Sequence, residues 1–483
     1  MDTSFQHYIN GLWTAPDSTR HVDLFNPATE TFRCRCPLGS DHDVDLAVTA
    51  ARDAFENGWH KSDLSQRIAI LENLLAEIDS RRDHFANAIS REIGAPINFS
   101  RTHQVEAALG HLEATLAAAK IPENRNDIPV AQDMTGHRVR FEPMGVAALI
   151  TPWNWPLNQI ALKVGAALLS GCTMVLKPSE LASETGILFA QCMAAAGIPN
   201  GVFNLILGDA ETGRGLTNHA DIDVISFTGS TRAGKSVALA AAKQFKPTTL
   251  ELGGKSPNLL FEDCNLPLAV QQGVAHCFRN SGQSCNAASR MLVQAGIYKE
   301  VLDLAAQFSS TYKNGAADQA GSHMGPLVNK DQFDRVQSLI QKGIDEGATL
   351  LTGGLGRPDG FKKGFYIKPT VFVDVTPDMS IAREEIFGPV LTISKFSNID
   401  DGIRQANDCA YGLAAYVQTA NEKTADEASC RLKAGMIQVN GTSRAAGAPF
   451  GGVKASGHGR EAGIWGIRAF QEIKSISGVR HRL

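Results

Sequence analysis

The chain has 483 residues, too many for one hydrophobic core, so two or three domains are expected. Its 46 basic and 50 acidic side chains leave a net charge of −4, which excludes a broad basic surface for nucleic acid or anionic lipid. No apolar run reaches the roughly 18 residues of a membrane span, and the start lacks a basic segment followed by an apolar one. We therefore expect a cytoplasmic protein with no nucleic-acid or membrane partner.

The nine cysteines show no paired spacing, and an odd number in a chain without a secretion signal favours reduced thiols. Cys34 and Cys36 are one residue apart and have no second pair. No HExxH motif is present, and the 13 histidines are mostly isolated. A metal site is therefore not expected.

The first 120 residues are predicted to be mostly helical after an extended N-terminal arm. Ser40 to Asp43 resembles a capping box for a helix that runs through Phe55. Gly94 to Pro96 predicts a helix break. A second helix before that break is predicted by apolar residues at i, i+3, i+4 and i+7, namely Leu71, Leu74, Leu75 and Ile78.

From Val139 onwards, short apolar runs alternate with helical stretches. Examples are VAALI at Val146, PLNQIALKVGAALLS at Pro156 and DVISF at Asp223. This alternation is typical of βαβ units in a parallel sheet, whose ligands bind beyond the carboxyl ends of the strands. A second α/β segment is predicted after residue 254, and residues 437–461 are predicted to form a Gly-rich loop.

Residues 278–290 read FRNSGQSCNAASR, so that Cys285 stands among small and polar residues. A structural cysteine is normally surrounded by apolar side chains, where its thiol is inert. The neighbours of Cys285 would instead leave the thiol reachable. Taken alone, these residues allow either a half-buried cysteine at a helix start or a reactive nucleophile.

Residues 229–236, GSTRAGKS, match the phosphate-loop pattern GxxxxGK[ST] between a predicted strand and a predicted helix. In a P-loop nucleotide triphosphatase, Lys235 would hold the phosphates and Asp263 is a candidate acidic partner. The pyrophosphate of a dinucleotide would bind such a turn equally well, because backbone N–H groups and the helix dipole favour any anionic oxygen. A complete GxGxxG is absent. The motif therefore predicts phosphate binding and leaves the nucleotide open.

Segments spread along the whole chain resemble the aldehyde dehydrogenase superfamily, in the order found in that family. They are INGLW at Ile9, FNPATE at Phe25, TPWNWP at Thr151, KPSE at Lys177, FTGSTRAGK at Phe227, LELGGKSP at Leu250, FRNSGQSC at Phe278, EEIFGP at Glu384 and PFGG at Pro449. The resemblance implies oxidation of an aldehyde to the free acid with NAD(P), through a cysteine thiohemiacetal and a thioester. A catalytically inactive structural relative is the other possibility that we weigh.

The same resemblance implies an α/β fold with a parallel-sheet cofactor domain, an α/β catalytic domain and a small oligomerisation arm. We assign residues 1–122 and 143–253 to the cofactor-binding domain and residues 254–455 to the catalytic domain. Residues 123–142 and 470–483 would form the arm. A homodimer or homotetramer is expected.

Three residues would perform the chemistry if the resemblance holds. Cys285 would add to the aldehyde carbon, because a thiolate adds readily to a carbonyl. The side-chain amide of Asn154 and the backbone N–H of Cys285 would stabilise the oxyanion. Glu251 would be the base that activates water for hydrolysis of the thioester.

The cofactor contacts follow from the same motifs. A carboxylate at Glu180 would accept hydrogen bonds from the adenosine ribose and repel a 2′-phosphate, which favours NAD, although Lys177 close by leaves NADP possible. The full set of expected cofactor residues is Trp153, Lys177, Glu180, Gly229, Ser230, Glu385 and Phe387.

Three residues are candidates for contact with the far end of the substrate: Trp155, Arg279 and Arg444. Arg279 lies six residues before Cys285, where succinate-semialdehyde members of the family carry an arginine for the substrate carboxylate. Leu162 stands where those members place a second arginine. We therefore favour a neutral aliphatic or aromatic aldehyde and keep a succinate-semialdehyde-type dehydrogenase as the alternative.

Overall fold

The structure is a computed structural model that describes residues 5–121, 127–129 and 137–478. Its strands are β1 (His7–Ile9), β2 (Leu12–Thr14), β3 (His21–Phe25), β4 (Phe32–Pro37), β5 (Asp127–Pro129), β6 (His137–Pro143), β7 (Val146–Thr151), β8 (Thr173–Pro178), β9 (Phe203–Leu205), β10 (Val224–Thr228), β11 (Thr248–Glu251), β12 (Pro257–Leu260), β13 (Arg290–Gln294), β14 (Thr349–Thr352), β15 (Thr370–Val373), β16 (Val390–Phe396), β17 (Ala414–Gln418), β18 (Met436–Val439), β19 (Gly457–His458) and β20 (Gln471–Ser477).

The α-helices are α1 (Asp41–Glu56), α2 (Leu64–Ser80), α3 (Arg82–Ile93), α4 (Ile97–Phe99), α5 (Glu106–Lys120), α6 (Pro156–Ser170), α7 (Ser183–Ala195), α8 (Ala210–Asn218), α9 (Thr231–Ala242), α10 (Leu266–Phe278), α11 (Tyr298–Thr311), α12 (Lys330–Asp345), α13 (Ser380–Arg383), α14 (Ile399–Asn407), α15 (Glu422–Arg431) and α16 (Gly463–Arg468). A π-helical turn, Ser100–Val105, joins α4 to α5. In the described ranges, none of these helices has the length and apolar character needed to cross a membrane.

An eight-stranded sheet has the order β19-β11-β10-β7-β8-β9-β1-β2. Its central strands, β11 to β9 in that order, run parallel, as the alternating pattern predicted. The register pairs Thr228 with Glu251 and Ile150 with Phe227, so the loops after these strands emerge at one edge. That edge is where the predicted cofactor and base residues lie.

A seven-stranded sheet has the order β14-β15-β16-β13-β12-β17-β18 and is parallel except for β14. The prediction that residues 437–461 form a Gly-rich loop is wrong near both ends of this range, where the structure has short strands. β18 pairs with β17, and the short strand β19 pairs with Leu250 and Glu251 of β11. Such short strands depend on a partner from elsewhere in the chain, which a local pattern does not reveal.

The predicted helix signals in the first hundred residues are confirmed. Ser40 and Asp43 form a capping box at the start of α1. The apolar spacing in α2 buries Leu71, Leu74 and Ile78 completely. α3 ends at Gly94, which takes the left-handed conformation (φ +73°) that glycine adopts at low cost.

A small three-stranded sheet has the order β20-β6-β5 and combines the C-terminal strand with the segment before β7. The predicted oligomerisation arm falls partly outside the described residues, since 122–126, 130–136 and 479–483 are not described. The division of the chain into three domains stays a prediction.

Candidate active site

A cleft of about 1450 Å³ opens at the edge where the parallel strands β7, β8, β10 and β11 end. The structure brings to this cleft every residue predicted for catalysis and cofactor binding, namely Trp153, Asn154, Lys177, Glu180, Gly229, Ser230, Glu251, Cys285, Glu385 and Phe387. Trp155, Arg279 and Arg444 do not line it. The predicted substrate contacts therefore lie apart from the cofactor side.

Cys285 follows a tight turn in which consecutive residues adopt left-handed backbone conformations. Asn280, Ser281 and Gly282 have φ values of +53°, +55° and +75°. A Cβ on Gly282 would lie 2.1 Å from the carbonyl carbon of Gly388, so glycine is required there. Cys285, which follows this turn, is half-buried and lines the cleft.

The thiol of Cys285 is held in its protonated form. Burial raises its pKa to about 12, and the negative charges of Glu385 and Glu251 add to the rise. The backbone N–H groups of Asn286 and of Cys285 itself favour the thiolate and oppose that rise of the pKa.

Asn154 is buried beside the turn and is held from several directions. Its Nδ2 donates to the carbonyl of Gln283 (3.1 Å), which leaves its other amide hydrogen free. Its backbone carbonyl accepts hydrogen bonds from Nδ2 of Asn280 (2.9 Å) and Nε2 of Gln104 (3.1 Å). Sequence reasoning missed Gln104, which the π-helical turn between α4 and α5 places here.

Glu251 ends β11 with its carboxylate buried. Neither oxygen has a hydrogen-bond partner among the described residues, and a Cβ on Gly451 would lie 2.5 Å from Oε1. Burial and the nearby Glu461 raise the pKa of Glu251 well above the usual value near 4.5, whereas Lys163 and Arg460 lower it. A carboxyl group with a raised pKa in a cleft is the kind of group that exchanges protons during catalysis.

Beside Glu251 lies an ion pair that the sequence analysis did not identify. Nζ of Lys163, in α6, contacts Oε1 of Glu461 at 2.5 Å and donates to Oγ of Ser226 at 2.9 Å. Both charged side chains are buried. The available signal was a lysine within the apolar stretch of α6, where an isolated charge would be costly.

The phosphate-loop segment forms the start of α9. Ser230 caps this helix, and its Oγ accepts the N–H of Ala233 (3.2 Å). Behind it, Lys177 donates from Nζ to the carbonyls of Pro178 (2.8 Å) and Gly208 (2.6 Å). The helix start therefore presents backbone N–H groups to the cleft, while the ammonium group is committed to backbone carbonyls.

Glu385 and Phe387 close the far side of the cleft. Oε1 of Glu385 accepts the N–H of Gly254 (3.1 Å), and burial raises the pKa of Glu385 to about 7. The ring of Phe387 packs edge-on against Trp153, with centroids 5.5 Å apart. α12 holds this loop through hydrogen bonds that sequence reasoning missed, from Arg335 to the Glu385 carbonyl (2.8 Å) and from Gln332 to the Phe387 carbonyl (2.8 Å).

Trp155 and the two arginines have different surroundings. Nε1 of Trp155 donates to Oγ of Ser284 (2.9 Å), the residue directly before Cys285. Arg279 is exposed and forms no ion pair within the described part of the chain. Arg444 is held by Nε2 of His111 (2.8 Å) and by backbone carbonyls, including that of Ala448 (2.5 Å).

The structure separates the residues that a P-loop triphosphatase would require. Asp263 follows β12 in the seven-stranded sheet and accepts hydrogen bonds from Thr419 (2.8 Å). Lys235 is exposed on α9 and does not line the cleft. The triphosphatase alternative is not supported. Over residues 5–121 and 137–478, no group of three or more potential metal ligands is present.

Comparisons with known proteins agree with this geometry. The aldehyde dehydrogenase family model matches residues 13–476. A 3-succinoylsemialdehyde-pyridine dehydrogenase from Pseudomonas sp. is 45% identical over 475 residues, which cover 98% of each chain.

Two solved structures share the fold. An aldehyde dehydrogenase from Bartonella henselae is 44% identical, covers 98% of both chains and has a TM-score of 0.96. A mutant of aldehyde dehydrogenase C from Pseudomonas syringae, in complex with NAD+ and octanal, is 45% identical with a TM-score of 0.95. It covers 98% of this chain and 97% of that one. The predicted α/β fold class is confirmed, and the chain belongs to the aldehyde dehydrogenase family.

Proposed function

We propose that this enzyme oxidises an aldehyde to the free carboxylic acid with NAD, through a thioester on Cys285. The observation that carries the proposal is the shared cleft: Cys285, Asn154 and Glu251 face the space that also receives Glu180 and the start of α9. A nucleophile, an oxyanion donor and a base therefore lie beside a surface suited to a dinucleotide.

The first step is the addition of the Cys285 sulfur to the carbonyl carbon. As the carbon–sulfur bond forms, the thiol proton would pass to solvent in the open cleft, because the raised pKa keeps the free thiol protonated until then. The free amide hydrogen of Asn154 and the backbone N–H of Cys285 would stabilise the oxyanion that results. These donors are held by neighbouring groups and need little rearrangement during the reaction.

The cleft residues fit NAD. Backbone N–H groups at the start of α9 suit a pyrophosphate, and the carboxylates of Glu180 and Glu385 suit the hydroxyls of two riboses. Lys177 is committed to backbone carbonyls, which leaves Glu180 to repel a 2′-phosphate and favours NAD over NADP. Bound NAD would accept the hydride, which leaves the oxidised carbon as a thioester.

Glu251 would then activate the water that hydrolyses the thioester. Its carboxylate oxygens have no hydrogen-bond partner within the described ranges, and its raised pKa makes the carboxylate a stronger base than an ordinary glutamate. Lys163 and Glu461 lie next to it and would respond to its change of charge. The product is a free acid and a regenerated thiol.

For the substrate, we favour a neutral aliphatic or aromatic aldehyde. Arg444 is already hydrogen-bonded to His111 and to carbonyl oxygens. Of the two candidate arginines, Arg279 is therefore the one that could bind a substrate carboxylate. The related protein from Pseudomonas syringae binds octanal, which agrees with an uncharged substrate. We further propose a cytoplasmic homodimer or homotetramer, assembled through the β20-β6-β5 sheet.

The nucleophile is tested by Cys285→Ala. We expect no NAD-dependent oxidation of any aldehyde in a panel, because no other cysteine lines the cleft. NAD binding, measured by calorimetry, should stay within about twofold of the wild type, since the thiol does not contribute to cofactor contacts. Substantial NADH formation by this variant would show that another residue is the nucleophile.

A further inference from the structure

Two side chains from different elements hold the backbone directly after Cys285. Tyr416, on β17, donates its hydroxyl hydrogen to the carbonyl oxygen of Asn286 (2.8 Å). His276, on α10, approaches the same hydroxyl with Nε2 (3.1 Å) and accepts the N–H of Ala288 at Nδ1 (3.2 Å). The segment 286–288 is therefore anchored at both ends.

The direction of these hydrogen bonds follows from the histidine. Because the N–H of Ala288 points at Nδ1, the ring hydrogen of neutral His276 sits on Nε2 and is donated to the oxygen of Tyr416. The hydroxyl hydrogen is then available for Asn286. Burial and the charge of Arg279 lower the pKa of His276 to about 4, so this arrangement persists at neutral pH.

The anchored segment includes a backbone group that acts on the sulfur of Cys285. The N–H groups of Cys285 and Asn286 both lower the pKa of the thiol. The Tyr416 hydroxyl holds the carbonyl group of Asn286 in place. It therefore restricts backbone rotation at Asn286, whose N–H group acts on the sulfur of Cys285. On the other side of Cys285, the non-glycine residues Asn280 and Ser281 have left-handed backbone conformations that cost energy, and such a turn keeps its shape only when its surroundings restrain it.

We propose that Tyr416 and His276 are positioning residues for the nucleophile, which hold residues 286–288 so that the N–H groups of Cys285 and Asn286 stay directed at the reacting atoms. The inference rests on the proposed role of Cys285 and goes beyond it. Neither ring lines the cofactor cleft. Their effect passes through the backbone of the nucleophile turn.

The experiment compares Tyr416→Phe with Tyr298→Phe. The control also removes one hydroxyl from a buried tyrosine, which hydrogen-bonds to Asp374 (3.1 Å) directly after β15 and does not line the cleft. Alkylation of Cys285 by iodoacetamide is followed on the tryptic peptide 280–290, whose only cysteine is Cys285. Turnover with a neutral aldehyde and the thermal midpoint are measured on the same samples.

We expect Tyr416→Phe to lower both the alkylation rate and kcat by roughly fivefold to tenfold, the usual effect of one lost hydrogen bond. KM for NAD should stay within about twofold of the wild type, and Tyr298→Phe should leave both rates unchanged. His276→Leu should lower the rates as well, and the double variant should be less impaired than the product of the single effects, because both residues act in one chain.

Unchanged alkylation and turnover in Tyr416→Phe would overturn the positioning role, as would equal losses in both tyrosine variants. If the rate losses of His276→Leu and Tyr416→Phe simply multiply in the double variant, the two residues do not act through one chain of hydrogen bonds. Cys285→Ala, assayed in parallel, separates the two proposals. Turnover without the thiol would refute the nucleophile itself, whereas normal turnover in Tyr416→Phe beside an inactive Cys285→Ala would overturn only the inference about positioning.

Discussion

Cys285 differs from the buried cysteines in its position and not in its acidity. Burial raises the pKa of Cys36, Cys277 and Cys285 alike to about 12. Of these three cysteines, only Cys285 lines the cleft, and backbone N–H groups and the side-chain amide of Asn154 lie close to it there. Reactivity at this residue therefore depends on access and on fixed donors, which act on the charge that develops during attack.

Glu251→Gln tests the base. Acylation of Cys285 does not need a water-activating group, so this variant should release about one equivalent of NADH per active site in a rapid first phase. Its steady-state turnover should then be lower than that of the wild type by roughly 100-fold or more. Rapid-quench or stopped-flow absorbance at the NADH band measures the burst. Steady turnover equal to the wild type would show that Glu251 is not the base.

The pH dependence of the slow phase adds a second readout for Glu251. The base works only as the carboxylate, and its pKa lies well above 4.5, so wild-type hydrolysis should increase as pH rises through that raised pKa. The glutamine variant should lack this increase. A pH profile that is the same in both proteins would contradict the assignment.

At the scale of elements, the site depends on irregular backbone between regular elements. The left-handed turn at residues 280–282 presents Cys285, and the π-helical turn Ser100–Val105 directs Gln104 to Asn154. π-helical turns and left-handed non-glycine residues are uncommon and cluster at functional sites. The buried pair of Lys163 and Glu461 fastens α6 to the segment before α16 next to this backbone.

Lys163→Met tests that buried pair. Removing the lysine leaves Glu461 buried without its partner, which should lower the free energy of unfolding by about 3–5 kcal/mol. The double variant Lys163→Met/Glu461→Leu should recover most of the loss, because no unpaired charge then remains. Urea denaturation measures all three proteins. A single variant as stable as the wild type would mean that the pair does not hold these elements together.

At the scale of the whole molecule, the cofactor cleft and the substrate candidates lie apart. The cleft holds the residues after the parallel strands, whereas Trp155 and Arg279 approach the nucleophile turn from outside its lining. We therefore expect the aldehyde to approach Cys285 from the side of Trp155 and not through the cofactor cleft. On this proposal, substrate preference and cofactor preference are set by different groups of residues.

The arginines provide the test of substrate preference. The native enzyme should have a higher kcat/KM for a neutral aldehyde such as pentanal than for succinate semialdehyde, and Arg279→Ala should change this ratio by less than about threefold. Arg444→Ala should lower activity on both substrates together, since its guanidinium holds the loop near Gly451. A roughly hundredfold preference for succinate semialdehyde that disappears in Arg279→Ala would reverse our substrate choice.

Assembly is tested at β20. Ile473 is 68% exposed in the single chain, although its strand belongs to the proposed oligomerisation arm. An exposed isoleucine contributes little to the stability of one chain, so Ile473→Lys should weaken assembly and leave the urea midpoint of the dissociated chain unchanged. Sedimentation velocity measures the mass. A wild-type protein that sediments as a monomer at micromolar concentration would contradict the proposed assembly.

The sequence by itself determined the fold class and the α/β alternation, because apolar periodicity and capping are local properties of neighbouring residues. The spacing in α2 and the capping box at Ser40 are examples. Motifs with a fixed order along the chain also predicted part of the cleft lining, including Cys285, Asn154 and Glu251.

Only the tertiary structure decided which groups from distant segments meet. The pairing of β19 with β11, the contact of Lys163 with Glu461 and the commitment of Arg444 to His111 join residues that are far apart in the chain. The same holds for the contact of Tyr416 with Asn286, where neither residue belongs to a motif. Such contacts depend on how complete elements pack together, and no local pattern of residue types encodes that packing.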